Sequence, residues 1–255
     1  MMMTRLFVSF IGKNLLFIIG FFAITNLINA QITPAEVLER VDANLSANTR
    51  VFVSEMTIHG KRFSQTLQSK TYSAGNSKAF TEYLSPAREA GTKLLMLDDK
   101  LWIYTPSSDR TIQLSGHMLK QSVMGSDLSY EDLMSDTKLT EEYEVVSMLS
   151  EIYQDRKSYL MELVARTESQ SYARRKMWID AEYFVPLKEE LYAKSGQLLK
   201  QASMSDLKQI QGRWFPTQMV YRDMLKNGKG TEFRILSMEF NQAIPEHLFS
   251  KAVLR

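Results

Sequence analysis

The chain has 255 residues, of which 44% are apolar and 24% are charged, and it contains no cysteine. This composition is too apolar for a disordered chain, and the lack of thiols excludes disulfides, cysteine-ligated metals and a cysteine nucleophile. The three histidines, His59, His117 and His247, are too far apart in sequence to form a local metal-binding pair. We therefore expect a globular protein without metal or cofactor, and little in the sequence indicates an enzyme.

The first thirty residues have the pattern of a secretory signal peptide. Arg5 and Lys13 are their only charged residues, and both precede the apolar run Leu15–Ile24. Polar residues follow this run, and Ala30 is a small residue, so the pattern predicts export to the periplasm with cleavage after Ala30. The alternative is an uncleaved anchor, because residues 6–28 could span a bilayer.

Removal of this leader changes the charge of the chain. The whole sequence has 31 basic and 29 acidic side chains, and without Arg5 and Lys13 both numbers are 29. A mature chain of zero formal charge gives no electrostatic reason to expect nucleic acid or an anionic membrane surface as a partner. Because a bacterial lipid anchor needs an N-terminal cysteine, we expect the mature protein to be unanchored.

The mature chain begins with one predicted helix. Thr33-Pro34-Ala35-Glu36 has the spacing of a capping box with proline at the first helical position. Val37, Leu38, Val41 and Leu45 then recur at helical spacing. This pattern predicts a helix whose apolar stripe covers another part of the fold.

From Val51 onward the apolar residues have a period of two, which predicts strands. Short turns separate them, so neighbouring strands should be antiparallel. No linker or repeat divides this region, and residues 31–255 are predicted to form a single domain. The predicted strands are Val51–Ile58, Ser64–Tyr72, Lys78–Leu84, Thr92–Leu97, Leu101–Thr105, Thr111–Leu114, Glu142–Leu149, Ser158–Thr167, Arg174–Asp180, Leu187–Ala193, Leu198–Ser205, Phe215–Tyr221 and Thr231–Phe240.

Two of these strands are apolar on both faces. Residues 94–97 and 101–104 do not alternate, whereas the strand 187–193 alternates between an apolar side and a polar side. A strand that is apolar on both faces has to be covered on both, here by helices and by the interior of a half-barrel. The alternative is a sandwich with a central pair of strands.

Methionines recur on the apolar side of several strands. Their thioether side chains are flexible and suit an interior that accommodates acyl chains of different shapes, although gap-filling in a core explains any single one. These methionines are Met161, Met177, Met204, Met219 and Met238.

Residues 115–137 interrupt the strands and have a distinct pattern. Four apolar residues, Met118, Leu119, Val123 and Met124, fit one short helix, and Ser129 with Asp132 fits the cap of a second helical turn. We predict that these short helices form a lid over the concave face of the sheet. The segment holds serines, acids and a histidine, but it lacks a Gly-x-Ser-x-Gly elbow, so capping and turns explain it better than catalysis.

Several blocks of sequence in the expected order are similar to a known family. They are Tyr83–Leu95, Leu101–Pro106, Arg110–Ile112, Ser115–Met118 and Met124–Leu133, followed by Trp178–Asp180, Pro186–Lys188 and Trp214–Thr217. These blocks resemble the outer membrane lipoprotein-sorting protein family, whose members are similar in fold to the periplasmic lipoprotein carrier LolA.

The resemblance implies an α+β fold that is mainly β, an incomplete and strongly curved antiparallel β-barrel with a helical lid and a hydrophobic cavity. It also implies a carrier that receives lipid or the acyl chains of a lipoprotein and moves them between membranes. Some relatives are associated with RND-type exporters, so the expected partners are an inner-membrane exporter and an outer-membrane acceptor, with the protein itself monomeric.

Seven residues are candidates for the cargo site. We expect Met118, Leu119, Val123 and Met124 to occupy the cavity when cargo is absent. The large aromatic side chains Trp102, Tyr104 and Trp178 are expected to help line its wall. Two other functions remain as alternatives: a sensor that binds mislocalised lipoprotein and signals to a membrane partner, and a secreted hydrolase that uses residues 115–132.

Overall fold

The computed structural model describes residues 32–60, 63–134 and 138–254. The predicted signal peptide and its cleavage position lie outside these residues. The described chain forms one thirteen-stranded antiparallel sheet with three α-helices and several 3₁₀ turns. No helix within the described ranges is both long enough and apolar enough to cross a membrane.

All thirteen predicted strands are present, and most of their bounds agree with the prediction to within two residues. The bounds are β1 Thr49–His59, β2 Ser64–Ala74, β3 Lys78–Ser85, β4 Lys93–Leu97, β5 Lys100–Thr105, β6 Arg110–Ser115, β7 Tyr143–Tyr153, β8 Arg156–Ala165, β9 Arg174–Asp180, β10 Pro186–Tyr192, β11 Leu198–Ile210, β12 Arg213–Asp223 and β13 Thr231–Phe240. The helices are α1 Pro34–Leu45, α2 Tyr130–Met134 and α3 Leu139–Glu142.

The strand order shows how the sheet is built. Strands β1 to β6 follow one another to one edge, and the chain then returns from the opposite edge through β7 to β13. The last strand pairs with the first, with Met56 opposite Phe233. The strands β6 and β7 are the two edges of the described sheet, so the barrel is curved but open, as predicted. Bulges in β7, β10 and β13 add to the local bending of the sheet.

Helix α1 covers one half of the concave face. Its capping box is formed as predicted, because Thr33 Oγ1 accepts from the Glu36 amide at 3.2 Å and Glu36 Oε2 accepts from the Thr33 amide at 2.8 Å. Val37, Leu38 and Val41 are buried against β8 and β9. Asp42 accepts from the backbone amides of Leu139 and Thr140 and thereby ties α1 to α3.

The doubly apolar strands β4 and β5 are covered on both faces, as their sequences predict. Leu94, Met96, Leu101 and Ile103 are buried on the concave face. Leu95 and Trp102 are buried on the convex face beneath Phe249 and Leu254 of the C-terminal 3₁₀ turns. The cover of the convex face is thus the end of the chain, which the sequence pattern did not identify.

Candidate functional site

Residues 116–134, here called the lid segment, cover the half of the concave face that α1 leaves free, which is formed by β1 to β6. Val123 and Leu128 are buried, and Met118, Leu119 and Met124 are partly buried in the same cluster. Each of the strands β1 to β6 contributes to the other side of this cluster, and the residues are Met56, Leu67, Tyr83, Leu94, Met96, Leu101, Ile103 and Leu114. The structure therefore brings the four lid candidates from the sequence together on one apolar surface.

The conformation of the lid segment differs from the predicted one. Two 3₁₀ turns, Gly116–Lys120 and Val123–Gly125, replace the single predicted helix. The residues between them, Gln121 and Ser122, are extended, so the four apolar residues do not follow one helical stripe. Met124 has φ 51°, a left-handed conformation that costs a non-glycine residue energy. The lid lies on the sheet as a chain of short turns rather than as one helix.

The predicted second helical turn is present as α2. Ser129 caps it, because Ser129 Oγ accepts from the Asp132 amide at 3.2 Å while Asp132 Oδ2 accepts from the Ser129 amide at 2.6 Å. The same carboxylate also accepts from Tyr172 Oη at 2.6 Å and pairs with the ammonium of Lys200 on β11. The cap is therefore also the attachment of the lid to the sheet.

The attachment lowers the pKa of the Asp132 carboxyl. Burial alone raises this pKa, but the ammonium of Lys200 and the hydrogen bonds from Lys200, Tyr172 and Ser129 outweigh it. The pKa of Asp132 consequently lies below its ordinary value of 3.8. The carboxylate is charged at neutral pH and holds α2 in place.

A second set of polar contacts holds the lid to the β12–β13 loop. Asp127 Oδ2 accepts from Thr231 Oγ1 at 2.8 Å, and its Oδ1 accepts from the Asp223 amide at 3.1 Å. Lys226 Nζ donates to Ser122 Oγ at 2.7 Å and to the Ser126 carbonyl at 2.9 Å. The lid is thus held by polar groups at two places, residues 122–127 and Asp132, and it also contacts the sheet through apolar side chains along its length.

The three aromatic candidates lie on the other face of the sheet. Trp102 and Tyr104 alternate with Leu101 and Ile103, so their side chains belong to the convex cluster beneath the C-terminal turns. Lys251 Nζ lies 4.3 Å from the centre of the Trp102 ring. Trp178 alternates with the inward-facing Met177 and Ile179, and it contacts Tyr153 and Lys188 on the outside. Strand periodicity therefore separates all three from the lid, and we do not keep them as cavity residues.

Two cavities lie on the concave face between the lid segment and α1. Each has a volume of about 260 Å³. The first lies beside α2 and is lined by Leu128, Glu131, Asp132, Leu133, Gln170, Ser171, Tyr172, Arg175, Glu189, Leu191, Lys200, Tyr221 and Phe233. The second lies towards α1 and α3 and is lined by Asp42, Leu45, Ser46, Arg50, Leu139, Glu142, Arg175, Pro186, Glu189, Met204, Phe215, Pro216, Met219 and Tyr221.

Three side chains line both cavities, and we call Arg175, Glu189 and Tyr221 the interior cluster. Arg175 Nη1 and Glu189 Oε2 are 3.7 Å apart, and only 12% and 13% of these side chains are exposed. The Arg175 guanidinium also lies 4.6 Å from the centre of the Tyr143 ring. Burial raises the pKa of Glu189, and the positive charge of Arg175 opposes this change.

The sequence reasoning missed the interior cluster, although a signal was present. Glu189 has the same strand parity as Leu187 and Leu191, and Arg175 has the same parity as Met177 and Ile179. A charged residue on the apolar side of an alternating strand is expected to be buried and paired. That rule, applied to β9 and β10, would have placed both residues inside.

The described residues contain no group of histidines and acids arranged to hold a metal ion. His59 instead bonds Ser64 Oγ at 3.0 Å and Glu232 Oε1 at 2.9 Å at the β1–β2 end of the sheet. His59 therefore has a structural explanation at this position.

Comparison with known proteins places this architecture in a group of similar folds. A putative outer membrane lipoprotein-sorting protein domain from Vibrio parahaemolyticus is 25% identical, with a TM-score of 0.74, covering 86% of this chain and 97% of that one. A LolA superfamily protein from Nitrosomonas europaea is 26% identical, with a TM-score of 0.71 and coverage of 87% and 99%. A DUF1329 family protein from Desulfovibrio piger is 23% identical, with a TM-score of 0.77 and coverage of 86% and 97%, and this likeness concerns the fold alone.

Comparison at the level of sequence identifies one family model. No curated protein matches the sequence. A family model described as "Uncharacterized protein" matches residues 75–255, which include all strands from β3 to β13 and the lid segment. The chain therefore belongs to this family, and it has the LolA-like fold of the outer membrane lipoprotein-sorting domains.

Proposed function

We propose that the protein is a periplasmic carrier that holds the acyl chains of a lipid or lipoprotein between the concave face of the sheet and the lid segment. One observation carries this proposal. The apolar surface of strands β1 to β6 is covered by a segment of short turns, which polar contacts hold in its middle and near its C-terminal end. Such a segment can leave the surface without unfolding the sheet.

The energetics of a carrier favour an exchange of this kind. Burial of an acyl chain stabilises the complex by about 0.8 kcal/mol per methylene, so a permanently open apolar groove would release its cargo very slowly. A lid that places Val123 and Leu128 on the same surface competes with the chain and lowers its net affinity. The lid thereby makes binding reversible, which a shuttle between two membranes requires.

The proposed carrier acts between the inner and the outer membrane. It receives cargo from an inner-membrane exporter, which is expected to be of the RND type, and delivers it to an outer-membrane acceptor. The names of two similar structures, a lipoprotein-sorting domain and a LolA superfamily protein, support this role. N-terminal sequencing of the exported protein tests the location, because cleavage after Ala30 leaves Gln31 as the first residue.

The lid is tested with a neutral apolar fluorophore, N-phenyl-1-naphthylamine, which has no lipid head group. In the variant Leu119→Asp a charged side chain cannot pack on the apolar surface, so the lid opens. We expect the probe to bind about tenfold more tightly than to the wild type, because the binding-competent fraction increases. Unfolding by denaturant should occur at nearly the wild-type concentration.

The matched control is Leu236→Asp on β13, where the leucine side chain is 46% exposed and does not belong to the lid cluster. This variant should bind the probe as the wild type does. If Leu119→Asp also binds the probe with wild-type affinity, the lid does not compete for the concave face and the carrier proposal loses its basis. Mass spectrometry of lipids that copurify with the wild-type protein then identifies the class of cargo.

A further inference from the structure

The interior cluster is not explained by an apolar cargo site. An arginine and a glutamate lie between two cavities in the middle of the concave face, where an acyl chain needs no charge. Removal of a charged pair from water is costly, and an apolar pair of similar size is often at least as stable in such a position. The pair therefore calls for a reason other than stability.

The hydrogen bonding of Arg175 indicates what the cluster lacks. Arg175 Nε is buried and has no hydrogen-bond partner among the described residues. The carboxylate of Glu189 lies 3.7 Å from Nη1, which is beyond hydrogen-bond distance. A guanidinium has five N–H donors and no acceptor, so the buried Nε–H of Arg175 remains without an acceptor. A ligand that supplies an oxygen acceptor at this point would satisfy it.

The charges around the cavities indicate that this acceptor is neutral. The lining side chains include three cations, Arg50, Arg175 and Lys200. They also include five carboxylates, Asp42, Glu131, Asp132, Glu142 and Glu189. A carboxylate or phosphate would be repelled by this excess of negative charge, and an amine would be repelled by Arg175 at short range.

The remaining lining is apolar on both sides of the cluster. Leu128, Leu191 and Phe233 line the first cavity, while Met204, Phe215 and Met219 line the second. We infer that the interior cluster binds the ester or amide carbonyl that joins acyl chains to their head group, with the chains extending into the apolar parts of the two cavities. This inference rests on the proposed carrier function and specifies the chemistry of its cargo.

The test compares three ligands with the same sixteen-carbon chain length in their ability to displace N-phenyl-1-naphthylamine at pH 7.5. They are 1-monopalmitoylglycerol, which has a neutral ester, palmitate, which is an anion, and hexadecylamine, which is a cation. The wild type should bind the ester at least tenfold more tightly than either charged ligand. Equal or tighter binding of palmitate or hexadecylamine would overturn the inference.

A double variant connects this preference to the cluster. Arg175→Met with Glu189→Met removes both charges together, so that neither is left buried without its partner, and the protein is expected to fold. The probe itself should bind as in the wild type, while the affinity for the ester should fall about tenfold. An unchanged preference for the ester would show that the cluster does not contact the ligand.

Strand β10, which contains Glu189, also offers a matched control. Lys188 and Glu190 form a pair 2.6 Å apart on the outer face of β10, with 17% and 16% of their side chains exposed. In the double variant Lys188→Met with Glu190→Met, the affinities for the ester and for the probe should equal those of the wild type. If the wild type does not bind the probe at all, the carrier function is refuted. If the wild type binds the probe but does not prefer the ester, only this inference is refuted.

Discussion

Two segments cover the two halves of the same concave face, and they are held in different ways. Helix α1 is a regular helix of twelve residues with a complete capping box and three buried apolar residues, Val37, Leu38 and Val41. The lid segment consists of short turns, and only Val123 and Leu128 of its apolar residues are buried. Helix α1 is therefore part of the core, whereas the lid segment has the properties of a segment that can detach from the sheet.

The difference lies in which interactions hold each segment. The helix is fixed mainly by apolar contacts with β8 and β9, which are lost only when the sheet is exposed to water. The lid is fixed in its middle by contacts of Asp127 and Lys226 and near its C-terminal end by contacts of Asp132, and these polar groups can exchange their partners for water when the lid opens. On the proposed function, stability and opening therefore depend on different halves of one surface.

The largest expected effect is on the fixed cover. Leu38→Ala removes a side chain that is 2% exposed and leaves a cavity beneath α1. The free energy of unfolding should fall by about 2–5 kcal/mol, measured by chemical denaturation. Binding of N-phenyl-1-naphthylamine should not change, because α1 does not cover the lid surface. A large increase in probe affinity would mean that α1 is also a removable cover.

Loss of the Asp132 contacts should act on the lid and not on the whole fold. Asp132→Asn removes the charge that pairs with Lys200, and hydrogen bonds to charged groups contribute about 1.5–3 kcal/mol each. Hydrogen exchange should become faster at the amides of Val123 and Ser126, which donate within the lid.

Exchange in the central strands provides the control for this variant. Amides of β8 and β9 should keep their wild-type protection, because their ladder does not depend on the lid. If the strands and the lid lose protection together, the lid and the sheet form one cooperative unit, and the distinction between the two covers is wrong.

Much of this fold could be predicted from the sequence because the apolar residues of most strands recur with a period of two. All thirteen strands were predicted, and β9 and β13 have the predicted bounds. The capping box at Thr33 and the cap at Ser129 were also predicted correctly, since each depends on residues three positions apart. These are local signals, and they do not require knowledge of which strands are neighbours.

The site was harder to predict because it depends on which face of the sheet each residue occupies. Trp102 and Leu101 are adjacent in a strand that is apolar on both sides, so size and hydrophobicity do not tell which one faces the lid. The decisive contact is with Phe249, far away in sequence. Arg175 and Glu189 were missed because no conclusion was drawn from a charged residue on the apolar side of a strand, although strand parity placed both inside.

Acid should weaken the lid contacts that Asp132 makes. The pKa of this carboxyl is lowered in the closed lid, mainly by Lys200 and its hydrogen bonds acting against burial, so an open lid binds a proton more readily. The stabilisation is complete above the ordinary pKa of about 4 and is lost as the pH falls through the lower pKa of the closed state.

Limited proteolysis of the lid segment checks this pH dependence. Cleavage within residues 116–134 by an acid-active protease should increase in the wild type only as the pH falls below about 4. The Asp132→Asn variant should be cleaved readily over the whole range, because it has no carboxyl to titrate. The same pH dependence in both proteins would assign it to another group.

The smallest expected effect is at the contact between the middle of the lid and the β12–β13 loop. Lys226 bonds Ser122 and Ser126, but 43% of its side chain is exposed, and the nearby Asp223 lies 3.3 Å from its ammonium. Exposed pairs and contacts of this kind contribute about 0.2–1 kcal/mol, so Lys226→Gln should increase lid exchange less than fivefold and less than Asp132→Asn does. High salt should reduce the difference between wild type and variant, because a solvent-exposed charge is screened. A larger effect than that of Asp132→Asn would reverse the order and would make the β12–β13 loop the principal attachment of the lid.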